Sequence, residues 1–190
     1  MKNLAIFVSG NGTNCENIIN YFHDSKEIHV SVVVSNRKDA YALVRAQNHG
    51  VPALVMTKAD FADENKIMSL MKEYDIDYII LAGFLLMVPE YLINAYDHKI
   101  INIHPALLPK FGGKGMYGMH VHEAVKAAGE TETGITVHYV SAVCDGGDII
   151  SQFKTALTPE DTADDIAAKI HVLEQAHFPQ VIEQAIMSDK

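Results

Sequence analysis

Short apolar runs alternate with segments of helical periodicity along the first hundred residues, and few folds accept that rhythm. Leu4–Val8 (LAIFV) and Val30–Val34 (VSVVV) are runs of the buried-strand type, as are Asp77–Phe84 (DYIILAGF) and Lys99–Pro105 (KIINIHP). A shorter run, VPALVM at 51–56, adds a further strand. Between the runs, Ile18, Ile19 and Phe22 fall on one helical face. Residues 41–50 read as a short helix, and Phe61, Ile67, Met68, Leu70 and Met71 mark one amphipathic helix over 61–74. PEYLINAY is a short helix with Pro89 at its first position. Such alternation implies an α/β fold, a mainly parallel twisted sheet with helices on both faces.

The pattern changes after residue 130. Thr133–Val140 alternates more strictly, and DIISQFKTAL follows the turn CDGGD, which predicts a hairpin-like antiparallel edge with a short Asp-Gly-Gly turn. Thr162 and the acids after it open a long helix that runs to about Ile186. No repeat or linker interrupts the chain, so the expectation is a single domain over residues 1–190.

Charge and composition narrow the partners. The formal net charge is −9, a poor match for phosphate backbones, so no nucleic acid is expected. No apolar run approaches the ~20 residues of a membrane span. The first residues enter an apolar strand directly, without a signal peptide. Cys15 and Cys144 lack metal-like spacing and read as reduced thiols, which points to the cytoplasm.

Ligands of open parallel sheets bind outside the carboxyl ends of the strands. Ser9–Asn14 (SGNGTN) is one such stretch, between the first strand and the first helix. Gly10 and Gly12 permit close approach, Thr13 or Asn14 can cap the helix, and the helix start favours a phosphate. The stretch is no Walker loop, and Cys15 stands where a dinucleotide fingerprint has its third glycine. A plain tight turn is the other reading.

Asn102 and His104 lie two apart before Pro105, so on a strand they share a face and project into the expected crevice. An amide and a protonated imidazole are both donors to an oxyanion. Asp145, before two glycines, could hold such a histidine charged and oriented; a structural Asn-His pair and a plain turn are the alternatives. His120 and His122 form an H-x-H pair without further ligands at zinc-like spacing, so no metal is expected. Thr136 and His138 alternate on one strand face and read as a polar edge. His171 and Glu174 share a face of the last helix.

SGNGTN, LAGF at 81–84, NIHPALLPKF at 102–111 and CDGGDII at 144–150 occur in that order. Together they resemble the folate-dependent glycinamide ribonucleotide formyltransferases, over about residues 3–185. The resemblance implies a formyltransferase fold with a Rossmann-like N-terminal half, and 10-formyltetrahydrofolate as co-substrate. It implies that Asn102, His104 and Asp145 are catalytic, and that Gly12, Thr13 and Asn14 hold the ribonucleotide phosphate. His171 and Glu174 would meet the rest of the ribonucleotide, with Glu174 suited to the ribose hydroxyls. Leu85, Leu86, Met87 and Val88, with Ser141, Ala142, Val143, Cys144, Asp145 and Asn102, would contact the folate. Small-molecule substrates follow from the same likeness, and the sequence leaves monomer and homodimer both open.

The chain departs from the family pattern in places. LLMV follows AGF where members often carry an arginine, and the basic residue that meets the folate tail has no counterpart, with Lys58 and Glu64 both nearby. GGKGMYGMH is longer than in some relatives, and its glycines suggest a loop that closes over substrate. Methionyl-tRNA formyltransferase would need a basic RNA-binding domain, and formyltetrahydrofolate hydrolase an N-terminal regulatory one; the chain's acidity and extent argue against both. The hydrolase and a non-catalytic phosphoribosyl-binding module are the alternative functions. A nicotinamide oxidoreductase lacks its ribose-binding acid in SNRKD.

Overall fold

A computed structural model of the chain describes residues 1–189. Seven strands form one sheet in the order β3-β2-β1-β4-β5-β6-β7, in which β1 runs parallel to β2 and β4, β2 runs parallel to β3, and β6 pairs antiparallel with β7. Two compact units, Met1–Ile101 and Asn102–Lys190, divide within β5 (Ile100–His104).

The first unit holds β1 (Lys2–Val8), β2 (Ile28–Ser35), β3 (Ala53–Val55) and β4 (Tyr78–Leu81). Leu4–Val8, Val32–Val34 and Tyr78–Leu81 are buried on both sides of the sheet, which is why they read as unbroken apolar runs rather than alternating ones. Helices α1 (Thr13–Phe22) and α2 (Tyr41–Asn48) bury one face each.

The helix expected over 61–74 is two helices. α3 (Lys58–Ala62) is opened by a capping box between Thr57 and Asp60, and α4 (Glu64–Glu73) by the Asp63 side chain, which accepts from the Lys66 amide. Asp63 itself is extended, with φ −94° and ψ 98°, so two local caps override one apolar stripe. The fourth strand ends at Leu81, three residues before Phe84. After it come α5 (Glu90–Ala95) and β5.

The second unit contains α6 (Met119–Ala127), β6 (Glu132–Tyr139), β7 (Ile149–Ala156) and α7 (Ala163–Ser188). β6 and β7 pair antiparallel, as expected, but residues 140–148 join them rather than a tight turn. β6 is almost wholly buried, whereas β7 alternates exposed and half-buried positions, as an edge strand does. α7 packs on both and starts at a Thr162–Asp165 capping box. Among the described residues, no helix is long and apolar enough to cross a membrane.

Candidate active site

In the second unit, the three side chains singled out in the sequence converge. His104 is the buried last residue of β5, and its Nδ1 lies 3.6 Å from Asp145 Oδ2. Asn102, two residues earlier, donates from Nδ2 toward His138 Nε2 at 3.0 Å. The same His138 atom is 3.7 Å from Asp145 Oδ1. The two-residue spacing on β5 thus delivers an amide and an imidazole to one cluster.

His138 is the member that sequence reasoning passed over. Its Nδ1 lies 2.9 Å from the Tyr139 carbonyl oxygen. A carbonyl only accepts, so Nδ1 carries the proton. Burial pushes this imidazole below its ordinary value, against the opposing pull of the Tyr139 carbonyl and the Asp145 carboxylate. The neutral ring therefore offers the Nε2 lone pair to the Asn102 amide. That contact turns the amide nitrogen inward and leaves its second N–H for another acceptor. Position parity with Thr136 on β6 was the available signal.

β6 also braces the strand end. Thr136 Oγ1 donates to the Ala106 carbonyl at 2.7 Å and accepts from the Leu108 amide at 3.0 Å. Gln152 Nε2 donates to the Leu108 carbonyl and to Thr136 Oγ1, each at 3.0 Å. Thr136→Val keeps the shape and strands buried backbone groups. It should lower stability by about 1–3 kcal/mol, read as a fall in Tm by calorimetry. An unchanged Tm would remove Thr136 from this bracing role.

A further buried histidine, His122 on α6, has an Nδ1 without a hydrogen-bond partner. Burial and the neighbouring His104 push its imidazole below the ordinary value of 6.5. His122 and His138 therefore take up a proton more readily in the unfolded chain than in the folded one. Their contribution to stability is complete above about pH 6.5 and is lost as pH falls through that value toward the lower folded-state values. Tm should drop between pH 7.5 and 5.5, above the range where carboxylates titrate. His122→Gln should flatten part of the slope. A Tm that rose on acidification over that interval would contradict these environments.

The first unit carries its own candidate loop. The cap of α1 is Gly12, in the left-handed region at φ 80°, and no side chain closes the helix. Thr13 and Asn14 are therefore the first helical residues, not the caps expected from sequence. A Cβ on Gly12 would lie 2.4 Å from Ala42 Cβ and 2.6 Å from Ala42 Cα, so α2 fits against this turn only because residue 12 is glycine. Arg45 of α2 braces it by donating to the Asn11 carbonyl at 2.8 Å and to Glu16. The helix start faces outward with its dipole's positive end, a geometry that suits an anion.

Ser9 ties this turn to the segment after β4. Its Oγ donates to Asn36 Oδ1 at 2.5 Å and accepts from the Leu85 amide at 2.9 Å, while its own amide donates to the Gly83 carbonyl at 3.0 Å. Phe84 packs in a ring cluster with Phe7 and Phe61. Leu85 and Met87 project from this anchored base more than half exposed, with Val88 buried beneath.

Of the other predicted positions, Ser141 is half-buried, Ala142, Val143 and Cys144 are exposed, and Asp145 is half-buried with a left-handed backbone at φ 53°. His171 is exposed and Glu174 half-buried on α7. Among the described residues, no group of three or more His, Cys, Asp or Glu side chains could hold a metal ion.

Residues 2–182 match the family model described as "Formyl transferase". The chain belongs to the formyl transferase family. A chloroplastic phosphoribosylglycinamide formyltransferase of Vigna unguiculata is 37% identical over 193 residues, covering 96% of this chain and 60% of that protein. The chain thus spans about 60% of the length of that relative. The phosphoribosylglycinamide formyltransferase of Haemophilus influenzae is 34% identical, with 96% of this chain and 86% of that one covered. The crystal structure of phosphoribosylglycinamide formyltransferase from Anaplasma phagocytophilum aligns with a TM-score of 0.90 at 34% identity, over 100% of this chain and 88% of that one.

Proposed function

We propose that this chain transfers the formyl group of 10-formyltetrahydrofolate to the amino group of glycinamide ribonucleotide, a step of purine synthesis. The observation that carries the reading is the cluster of Asn102, His104 and Asp145 at the carboxyl end of β5, in a member of the formyl transferase family. The names of its relatives in Vigna and Haemophilus support the choice of acceptor.

In this reading the substrate amine attacks the formyl carbon, and negative charge grows on the formyl oxygen. The free N–H of Asn102 and a donor on His104 meet that oxygen. Asp145 takes a proton from the attacking amine. The bond from the formyl carbon to the folate nitrogen breaks, and the proton passes to that nitrogen. Gly12, Thr13 and Asn14 hold the ribonucleotide phosphate, and Glu174, with His171 one turn away, serves the ribose hydroxyls. Leu85, Leu86, Met87 and Val88 contact the folate, as do Asn102 and the run Ser141, Ala142, Val143, Cys144 and Asp145. We place the enzyme in the cytoplasm, as a monomer or homodimer acting on small molecules. Its two unpaired cysteines are at home there.

An absorbance assay with 10-formyltetrahydrofolate, run with and without glycinamide ribonucleotide, tests the proposal. Turnover only when the ribonucleotide is present is the expected result. Formate release without it would make the protein a hydrolase, and silence in both would leave a binding module.

A further inference from the structure

The glycine-rich segment after β5 has no part in the mechanism above, yet its backbone touches both ends of the His104–Asp145 pair. The Phe111 carbonyl accepts from His104 Nε2 at 2.7 Å, and the Gly113 amide donates to Asp145 Oδ2 at 2.9 Å. The turn is tightly held between these contacts. Phe111 sits in the left-handed region at φ 55°, where a bulky residue stays only if its surroundings impose it, and Gly113 follows at φ 92°. A Cβ on Gly112 would come within 2.4 Å of Leu108 Cδ2 and 3.4 Å of Asp145 Cβ.

The consequence is an assignment of atoms. Because a carbonyl can only accept, Nε2 of His104 carries a proton and is already engaged. Nδ1 is the nitrogen turned toward Asp145. His138 of β6 and His122 of α6 also feel His104, and burial keeps both toward neutrality. Asp145 is correspondingly held by one oxygen, with Oδ1 on the His138 side.

We infer that the Phe111 carbonyl and the Gly113 amide are positioning groups: by engaging Nε2 they make Nδ1 the nitrogen through which the imidazolium form of His104 donates to the reacting oxygen, and they aim Asp145 through Oδ2, leaving Oδ1 for proton relay. The chemistry of this assignment rests on the proposed formyl transfer; its geometry does not.

Two substitutions at one position separate backbone from side chain. Phe111→Pro forces φ near −65° and swings the carbonyl away, whereas Phe111→Gly permits the left-handed turn and removes only the ring. Phe111→Pro should lower kcat on the order of 10²-fold, with KM for glycinamide ribonucleotide within about threefold of the parent. Phe111→Gly should recover most of that loss. Nitrogen-15 NMR of His104 in the intact protein should report a protonated, hydrogen-bonded Nε2 in the parent and in Phe111→Gly, and an altered signature in Phe111→Pro. If Phe111→Pro fails to fold, Gly112→Ala, which must displace Leu108 or the turn, takes its place with the same readouts. Equal losses of kcat in both Phe111 variants, or an unchanged His104 spectrum when the carbonyl is displaced, would overturn the inference. Absence of formyl transfer by the parent would instead sink the proposed function, and the NMR comparison would still decide this one.

Discussion

His104→Ala and Asp145→Asn should each cut turnover several hundred-fold, about 3–4 kcal/mol of barrier, while glycinamide ribonucleotide still binds. His104 is buried at the strand end, where the proposed mechanism needs a donor, and Asp145 Oδ2 lies 3.6 Å from its Nδ1. Alanine removes the donor outright. Asparagine keeps the size of Asp145 but removes the charge and one proton acceptor. Neither residue belongs to the α1 loop to which the proposal assigns the phosphate, so calorimetric affinity for the ribonucleotide should hold. The His104→Ala cavity calls for a Tm control, because deleting a buried side chain also costs stability. Near-normal turnover in either variant would remove that residue from the chemistry.

Gly12→Val should act on the opposite quantities. The left-handed backbone at φ 80° disfavours a β-branched residue, and the new side chain must displace Ala42 of α2. Strain and overpacking together should lower stability by about 2–4 kcal/mol. With the turn deformed, affinity for glycinamide ribonucleotide should fall on the order of 10²-fold, whereas kcat at saturation changes less. Unfolding by denaturant and titration calorimetry measure the two effects. Gly12→Val with parental stability would contradict the close approach of α2, and parental affinity would move the phosphate elsewhere.

These two variants also mark what the sequence could and could not reveal. The sheet was legible because strands such as Leu4–Val8 are buried on both faces, which writes burial into consecutive residues. The Asn102–His104 pair was legible because strand parity is a local rule. The break at Asp63 was hidden, because apolar positions on α3 and α4 mimic one stripe while Thr57 and Asp63 cap twice. The turn at Asp145 looked like a hairpin tip. Its conformation instead answers to Gly113, 32 residues away, through a contact no local pattern encodes. His138 was set aside as a polar edge for the same reason, since its meaning depends on Asn102 of another strand. Gly12 was read as a residue that permits close approach, and the neighbour that approaches, Ala42 of α2, lies 30 residues away where no local pattern could name it.

The most direct test of the central claim follows the formyl carbon itself. With carbon-13 in the formyl group of 10-formyltetrahydrofolate, NMR should show the label arriving on the amino nitrogen of glycinamide ribonucleotide with the native chain. It should arrive several hundred-fold more slowly with Asp145→Asn. Label released as free formate, or arriving at the same rate with both proteins, would contradict the account.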